Sequence, residues 1–264
     1  MLATIRKGYV DTPAGQVHYR ALLRVAGPPL VLLHQTASSG AMFERLMALL
    51  ADDFPTLAPD TPGFGASDPL PLPFTVADLA EVLHAALTAL GVAECFLFGH
   101  HTGAAIAVQM AHDHPGFVRR LALSGPPLLG PEQVAALLAT LQPFTVAEDG
   151  SHLTQTWARI RRRDPELPLS IVQREVLLTQ WAREAAPAAY HAVFAQPFAE
   201  QLAALDIPVL VMAGERDTLR AGLEPSLAHL RRGQALVIPD AGPYVCDRQP
   251  EAVAAALRRF FRAA

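Results

Sequence analysis

Apolar residues recur along this chain with two periods, and the periods alternate. Leu30-Val31-Leu32-Leu33 is an unbroken apolar run, the pattern of a strand buried on both faces. Ala41–Ala51 follows with helical spacing, and Phe54–Ala58 reads as a short strand. Val76, Leu79, Ala80, Leu83, Leu87 and Leu90 recur every three or four positions and predict an amphipathic helix. Thr75 is a candidate N-cap for it and Gly91 a candidate C-terminal stop. Cys95–Phe98 is the next strand. Thr102–His112 is a helix whose Ala and Gly content permits close approach to a sheet, and Leu121–Leu123 is a further strand ended by Ser124-Gly125-Pro126-Pro127. Ahead of these, Tyr9-Val10 and Gln16–Tyr19 flank Asp11-Thr12-Pro13-Ala14-Gly15, the pattern of a β-hairpin.

The alternation stops at 131–200, which is helical in pattern, Ala-rich and punctuated by Pro, with no strand signal. It resumes with strands at Val209–Met212 and Ala235–Ile238 and a terminal helix over Ala252–Phe261. Strand and helix in turn, interrupted late by helices, predict an α/β fold with a parallel sheet and an inserted cap. The expected division is a core of 1–130 and 201–264 and a helical cap of 131–200. No internal repeat or low-complexity tract interrupts it.

Composition narrows the class. A chain of 264 residues with 51% hydrophobic and 17% charged residues suits one large globular unit rather than disorder. A net charge of −4 gives no electrostatic case for nucleic acid, and Arg161-Arg162-Arg163, the one basic cluster, reads as a solvated face. Two isolated cysteines, Cys95 and Cys246, make neither a disulfide framework nor a zinc pattern. The N-terminal residues lack the apolar core of a signal peptide, and no apolar run is long enough to span a bilayer. The expectation is a cytoplasmic protein with a small-molecule partner, no nucleic acid and no membrane. Oligomeric state leaves no mark in these patterns.

The informative chemistry begins at Gly99-His100-His101-Thr102-Gly103. An apolar strand runs into this frame and a small-residue helix leaves it, the setting of a nucleophile elbow. Four further segments accompany it in order: Leu32-Leu33-His34-Gln35; Asp60-Thr61-Pro62-Gly63-Phe64-Gly65-Ala66-Ser67-Asp68; Pro208 to Asp217 around Gly214-Glu215-Arg216-Asp217; and Ile238-Pro239-Asp240-Ala241-Gly242 with Gln249-Pro250-Glu251. Together they resemble the α/β-hydrolase fold family over nearly the whole chain outside the cap. The resemblance implies a mostly parallel eight-stranded sheet, no cofactor, an acid at Asp217, and oxyanion-hole backbone donors at Thr36 and Thr102.

The departures from that family fall on the reacting groups. The family carries Ser, Asp or Cys where His101 stands, His where Pro243 stands, and usually Gly where Gln35 stands. Proline has no titratable group, so a serine-type acyl-enzyme route lacks its base. Imidazole is longer than a hydroxymethyl group, and the absent ring at Pro243 leaves room between residue 101 and Asp217. The expectation is that His101 reaches Asp217, directly or through water. A carboxylate on one ring nitrogen sets the tautomer and leaves the other toward substrate.

Backbone N–H groups at the elbow stabilise an oxyanion or enolate whatever the side chain. The expected chemistry is therefore cofactor-free and directed at a small carbonyl compound. Ester or lactone hydrolysis is one outcome and proton-abstraction lyase or isomerase chemistry another. The alternative is an inactive ligand-binding or regulatory pseudo-hydrolase, with His101 filling a dead elbow. Candidate pocket residues are His34, Gln35, His100, Ser124, Trp157, Tyr190, His191 and Tyr244. No helix carries a His pair with an acidic third ligand in sequence, so no metal site is expected. His18, His84, His112, His114 and His229 read as surface or packing residues.

Overall fold

A computed structural model describes residues 4–141 and 145–263. The N-terminal hairpin pairs β1 (Arg6–Thr12) with β2 (Gly15–Leu22), with Thr12 opposite Gly15 across a two-residue turn. Both strands extend beyond the residues the pattern marks, because β2 is held on its other edge by β4 (Thr56–Pro59) as well. Eight strands form one sheet in the order β1-β2-β4-β3-β5-β6-β7-β8. The additional strands are β3 (Leu30–Leu33), β5 (Cys95–His100), β6 (Val118–Ser124), β7 (Val209–Gly214) and β8 (Gly233–Ile238). From β4 to β8 every pairing is parallel.

Helices cover both faces, so the inner strands are apolar on both sides. On one face α2 (Val76–Ala89) and α3 (Thr102–Asp113) bury Leu79, Leu83, Ile106 and Val108 against Val31, Leu97 and Leu121. On the other, α1 (Glu44–Leu50) and the terminal helix, Pro250–Phe261, bury Leu46, Leu50, Leu257 and Phe260 against Leu32, Phe98 and Met212. Each such side chain removed from water contributes roughly 1.5–3 kcal/mol. The predicted cap on α2 forms, and as a full capping box: the Asp78 N–H donates to Thr75 Oγ1 and the Thr75 N–H donates to the Asp78 carboxylate.

Two expected elements shift. The helix read over Ala41–Ala51 splits into a 3-10 turn, Gly40–Phe43, capped by Ser39, and then α1. The strand read from Phe54 begins only at Thr56, because the Asp53 and Phe54 N–H groups donate back to the last turn of α1 at Leu50.

Between β6 and β7 the chain is helical. It holds α4 (Pro131–Ala139), α5 (Ser151–Arg163), α6 (Leu169–Ala182), α7 (Ala185–Ala195) and α8 (Phe198–Ala204). α8 lays Phe198 and Leu202 into the core beside α3. α6 is tied to the sheet's end by ions: Arg174 donates to both oxygens of Asp247 at 2.8 and 2.7 Å, and Ser38 Oγ donates to Glu175 at 3.0 Å. The order of pairing reverses at β3, which lies between β4 and β5. A crevice opens outside the carboxyl ends of the strands at such a reversal. The segments following β3, β5 and β7 carry Gln35-Thr36, His101 and Asp217 to that end.

Candidate active site

His101 occupies the turn between β5 and α3 with φ 52° and ψ −111°, a left-handed conformation that costs a β-carbon-bearing residue energy. The turn is held from both sides. The His101 N–H donates to Ser124 O at 2.8 Å, and the Ala104 N–H donates to His101 O at 2.8 Å. The flanking glycines are required by contact: a Cβ at Gly99 would overlap the Gly103 carbonyl, and one at Gly103 would overlap the Leu33 carbonyl. Helix α3 therefore sits close on the sheet, and the side chain of residue 101 is raised at its edge.

That side chain meets the acid. Nε2 of His101 lies 2.9 Å from Oδ2 of Asp217, with the imidazole 12% and the carboxylate 0% exposed. A carboxylate oxygen accepts, so Nε2 carries the hydrogen and Nδ1 is the free nitrogen. The other oxygen, Oδ1, accepts from the Leu219 N–H at 2.8 Å. Burial acts to raise the Asp217 pKa, but His101 through charge and hydrogen bond, with His100 and the Leu219 N–H, holds it down at about 2. Gly125, just past β6, leaves the space the pair occupies, since a Cβ there would lie 2.6 Å from Nε2 of His101.

His100, a candidate pocket residue, lies beneath His101, its ring centroid 4.1 Å from that of His101, and is fully buried. Its Nε2–H donates to the Pro243 carbonyl at 2.9 Å, which leaves Nδ1 to accept from Ser124 Oγ at 3.1 Å. Burial, reinforced by His101 beside it, holds the His100 pKa at about 3, so the ring stays neutral. His100 thus ties the end of β5 to the loop at Pro243.

The cavity over His101 is narrow, about 60 Å³, room for a few waters or a small acyl group. Its wall includes Gln35, Thr36, Thr102, Arg163, Tyr190 and Tyr244. Thr102 opens α3, so its N–H has no partner within the helix. The Thr36 N–H makes a long 3.4 Å bond to Thr102 Oγ1, and the two hydroxyls meet at 2.8 Å. A developing oxyanion accepts more strongly than a hydroxyl and would draw that N–H away.

Of the candidate pocket residues, Gln35, Tyr190 and Tyr244 line this cavity; the others do not. His34 is a buried loop staple, donating from Nδ1 to Gln35 O at 2.8 Å and accepting the Thr61 N–H at Nε2 at 2.9 Å. Ser124 is spent on His100. Trp157 stands on the outer side of α5, 36% exposed, and His191 borders a separate apolar groove beside Phe74 and Gln109. Periodicity cannot distinguish the two sides of a short inserted helix when both carry aromatics.

Residues 28–249 match the sequence model of the alpha/beta hydrolase fold. The chain belongs to the α/β-hydrolase fold family. This family member is similar to 2-(acetamidomethylene)succinate hydrolase of Mesorhizobium japonicum, 28% identical over 262 residues that span 94% of this chain and 93% of that protein. Among solved structures it is similar to a hydrolase from Pseudomonas aeruginosa, with a TM-score of 0.81, 24% identity and coverage of 97% and 98% of the two chains. It is also similar to Cfl2 of Burkholderia cenocepacia, with a TM-score of 0.82, 25% identity and coverage of 98% and 96%. The relatives support hydrolase-type activity in general for this α/β-hydrolase chain.

Sequence reasoning missed two parts of the site. Gly125 has no motif, and its role appears only when β6 is placed beside β5. Arg163 belongs to the run read as a solvated face and is exposed, and it also borders the cavity. Elsewhere Glu81, His84 and His114 each bring one ligand atom within 4.8 Å of the others. His84 and His114 pack as expected, their rings stacked with centroids 3.5 Å apart and His84 edge-on to Phe117. The cluster lies past the far end of α3 from His101, away from the cavity.

The two cysteines are buried, and burial pushes the Cys95 thiol up to about 12, so neither is a nucleophile at neutral pH. Among the described residues no helix is long and apolar enough to cross a membrane.

Proposed function

We propose that this α/β-hydrolase chain is a cofactor-free enzyme acting on a small carbonyl compound, with His101 as base and Asp217 as its orienting acid. The observation that carries the reading is the 2.9 Å contact of His101 Nε2 with Asp217, which leaves Nδ1 as the nitrogen free for chemistry. The helices inserted between β6 and β7 act as a cap: Arg163 and Tyr190 come from them and border the cavity.

In the hydrolytic form, Nδ1 takes a proton from water as the water oxygen attacks the carbonyl carbon. The oxyanion is held by the N–H groups of Thr102 and Thr36. Collapse expels the alkoxide, which takes the proton back from Nδ1, and one water is consumed for one acid and one alcohol. No acyl-enzyme forms through Ser124, which is buried outside the cavity wall beside a His100 too weakly basic to take its proton, and Pro243 supplies no base. The same base and donors serve removal of a proton next to a carbonyl, the lyase or isomerase form.

A panel of small esters, lactones and carbonyl acids tests this on wild type, His101→Ala and Asp217→Asn. Turnover is expected to fall roughly 10²- to 10⁴-fold in His101→Ala, the usual worth of a positioned base. A fluorophosphonate probe is expected to leave all three unlabelled. Ligand binding with no turnover in wild type would favour the pseudo-hydrolase alternative, and robust probe labelling would overturn the absence of an activated serine.

A further inference from the structure

Three cavities run in series from the surface of the inserted helices to His101. The innermost shares Gln35, Thr36, Arg163, Tyr190 and Tyr244 with a second, of about 40 Å³. The second shares Arg159, Thr179 and Ala186 with an outer cleft of about 470 Å³ walled by α5, α6 and α7. Arginine recurs at every stage: Arg162 and Arg183 outside, Arg159 between, Arg163 at the inner end.

Among the described residues none of these four guanidiniums lies in an ion pair with an acid. Tyr190 and Tyr244 stand beside Arg163, Arg163 and Arg162 stand beside Arg159, and all four arginines keep exposed surface. One carboxylate lines the series, Glu175, and it is engaged by Arg174 at 2.8 Å and by Ser38 at 3.0 Å. Arginine keeps its charge at any working pH, so four of them along this path make its mouth and walls positive. An anionic ligand is drawn to such a path, because a guanidinium with flanking donors binds a carboxylate by charge-assisted hydrogen bonds.

We infer that the substrate carries a carboxylate, gripped by Arg163 with the Tyr190 and Tyr244 hydroxyls, which sets its reacting carbonyl against His101 and Thr102. Arg162, Arg183 and Arg159 form the approach path, attracting the anion and passing it inward. Arg163 is a positioning and specificity residue rather than a base. The inference rests on the reading that the cavity over His101 is the reaction site.

Binding and turnover test it separately. In thermal-shift and calorimetric titrations at constant ionic strength, succinate and malonate are expected to bind wild type and His101→Ala alike. Arg163→Gln is expected to bind them roughly 10- to 100-fold more weakly, the worth of a charged hydrogen bond, and Arg163→Lys to recover part of the loss. In kinetics, half-esters of dicarboxylic acids are expected to exceed the matching neutral diesters in kcat/KM. In Arg163→Gln that preference disappears through a raised KM and a lowered kcat on the half-esters, while the neutral diesters change little. Circular dichroism on each variant separates these effects from misfolding.

Equal kcat/KM for charged and neutral esters would overturn the inference, as would unchanged succinate binding in Arg163→Gln, or tighter binding of inorganic phosphate than of any carboxylate. Succinate binding that depends on Arg163, with no turnover of any substrate, would uphold it while overturning the enzymatic reading of His101.

Discussion

Gly125 shapes the site through the atom it lacks. With φ at +59°, a side chain there is strained, and its Cβ would also lie 3.1 Å from Oδ2 of Asp217 and closer still to the His101 ring. Gly125→Ala is expected to cost about 1–2 kcal/mol from the left-handed backbone and to part the pair. Activity should then fall toward that of His101→Ala while the melting temperature moves only a few degrees; a fully active Gly125→Ala would show that the contact is dispensable. His100 sets a pH dependence. Its native pKa, about 3, lies below its ordinary value of 6.5, so the folded state favours the neutral ring. That stabilisation is complete above pH 6.5 and is lost as pH falls toward 3, on the order of a few kcal/mol. Urea unfolding at about pH 7, 5.5 and 4 reads it, and His100→Gln is expected to flatten the slope. Asp217 acts in the same direction at lower pH, its contribution being lost as pH falls from the ordinary carboxylate range through about 2.

At the scale of elements, an ionic tie joins α6 to the core beside the apolar contacts of Val172 and Val176 with Tyr244. Arg174 on α6 bridges Asp247 and Glu175, both largely buried. Arg174→Ala leaves two carboxylates facing each other without a cation and is expected to cost about 3–5 kcal/mol. A smaller loss in chemical denaturation would show that water takes over the solvation. This tie was not legible in the chain, because Arg174 and Asp247 are far apart in sequence and neither belongs to a motif. The capping box of α2 was half legible: Thr75 stood before the first apolar position, and Asp78 completed it.

Across the whole molecule, stability is uneven. β5, β6 and α3 bury nearly every side chain at the centre of the sheet, whereas α4 buries none. Hydrogen exchange is expected to be slowest in β5 and α3, where opening requires global unfolding, and fast in α4, where local opening suffices. Equal protection in α4 and α3 would contradict this. The loose α4 borders the cavity through Leu137, so the part of the wall free to move lies over His101.

The linear pattern by itself determined the order of strands and helices, because burial on one or both faces imposes a period that needs no tertiary information. It also marked the turn at Gly99–Gly103 and singled out His101, Asp217 and Pro243, since backbone turns and titratable groups are written in local residue types. Only the tertiary structure decided where those groups meet. It turned His100 into an anchor and His34 into a staple, brought Gly125 beneath the His101–Asp217 pair, and set the exposed Arg163 at the cavity's edge. The reason is physical: a period states that a side chain is covered, while the direction of an imidazole or guanidinium is set by partners that lie far away along the chain.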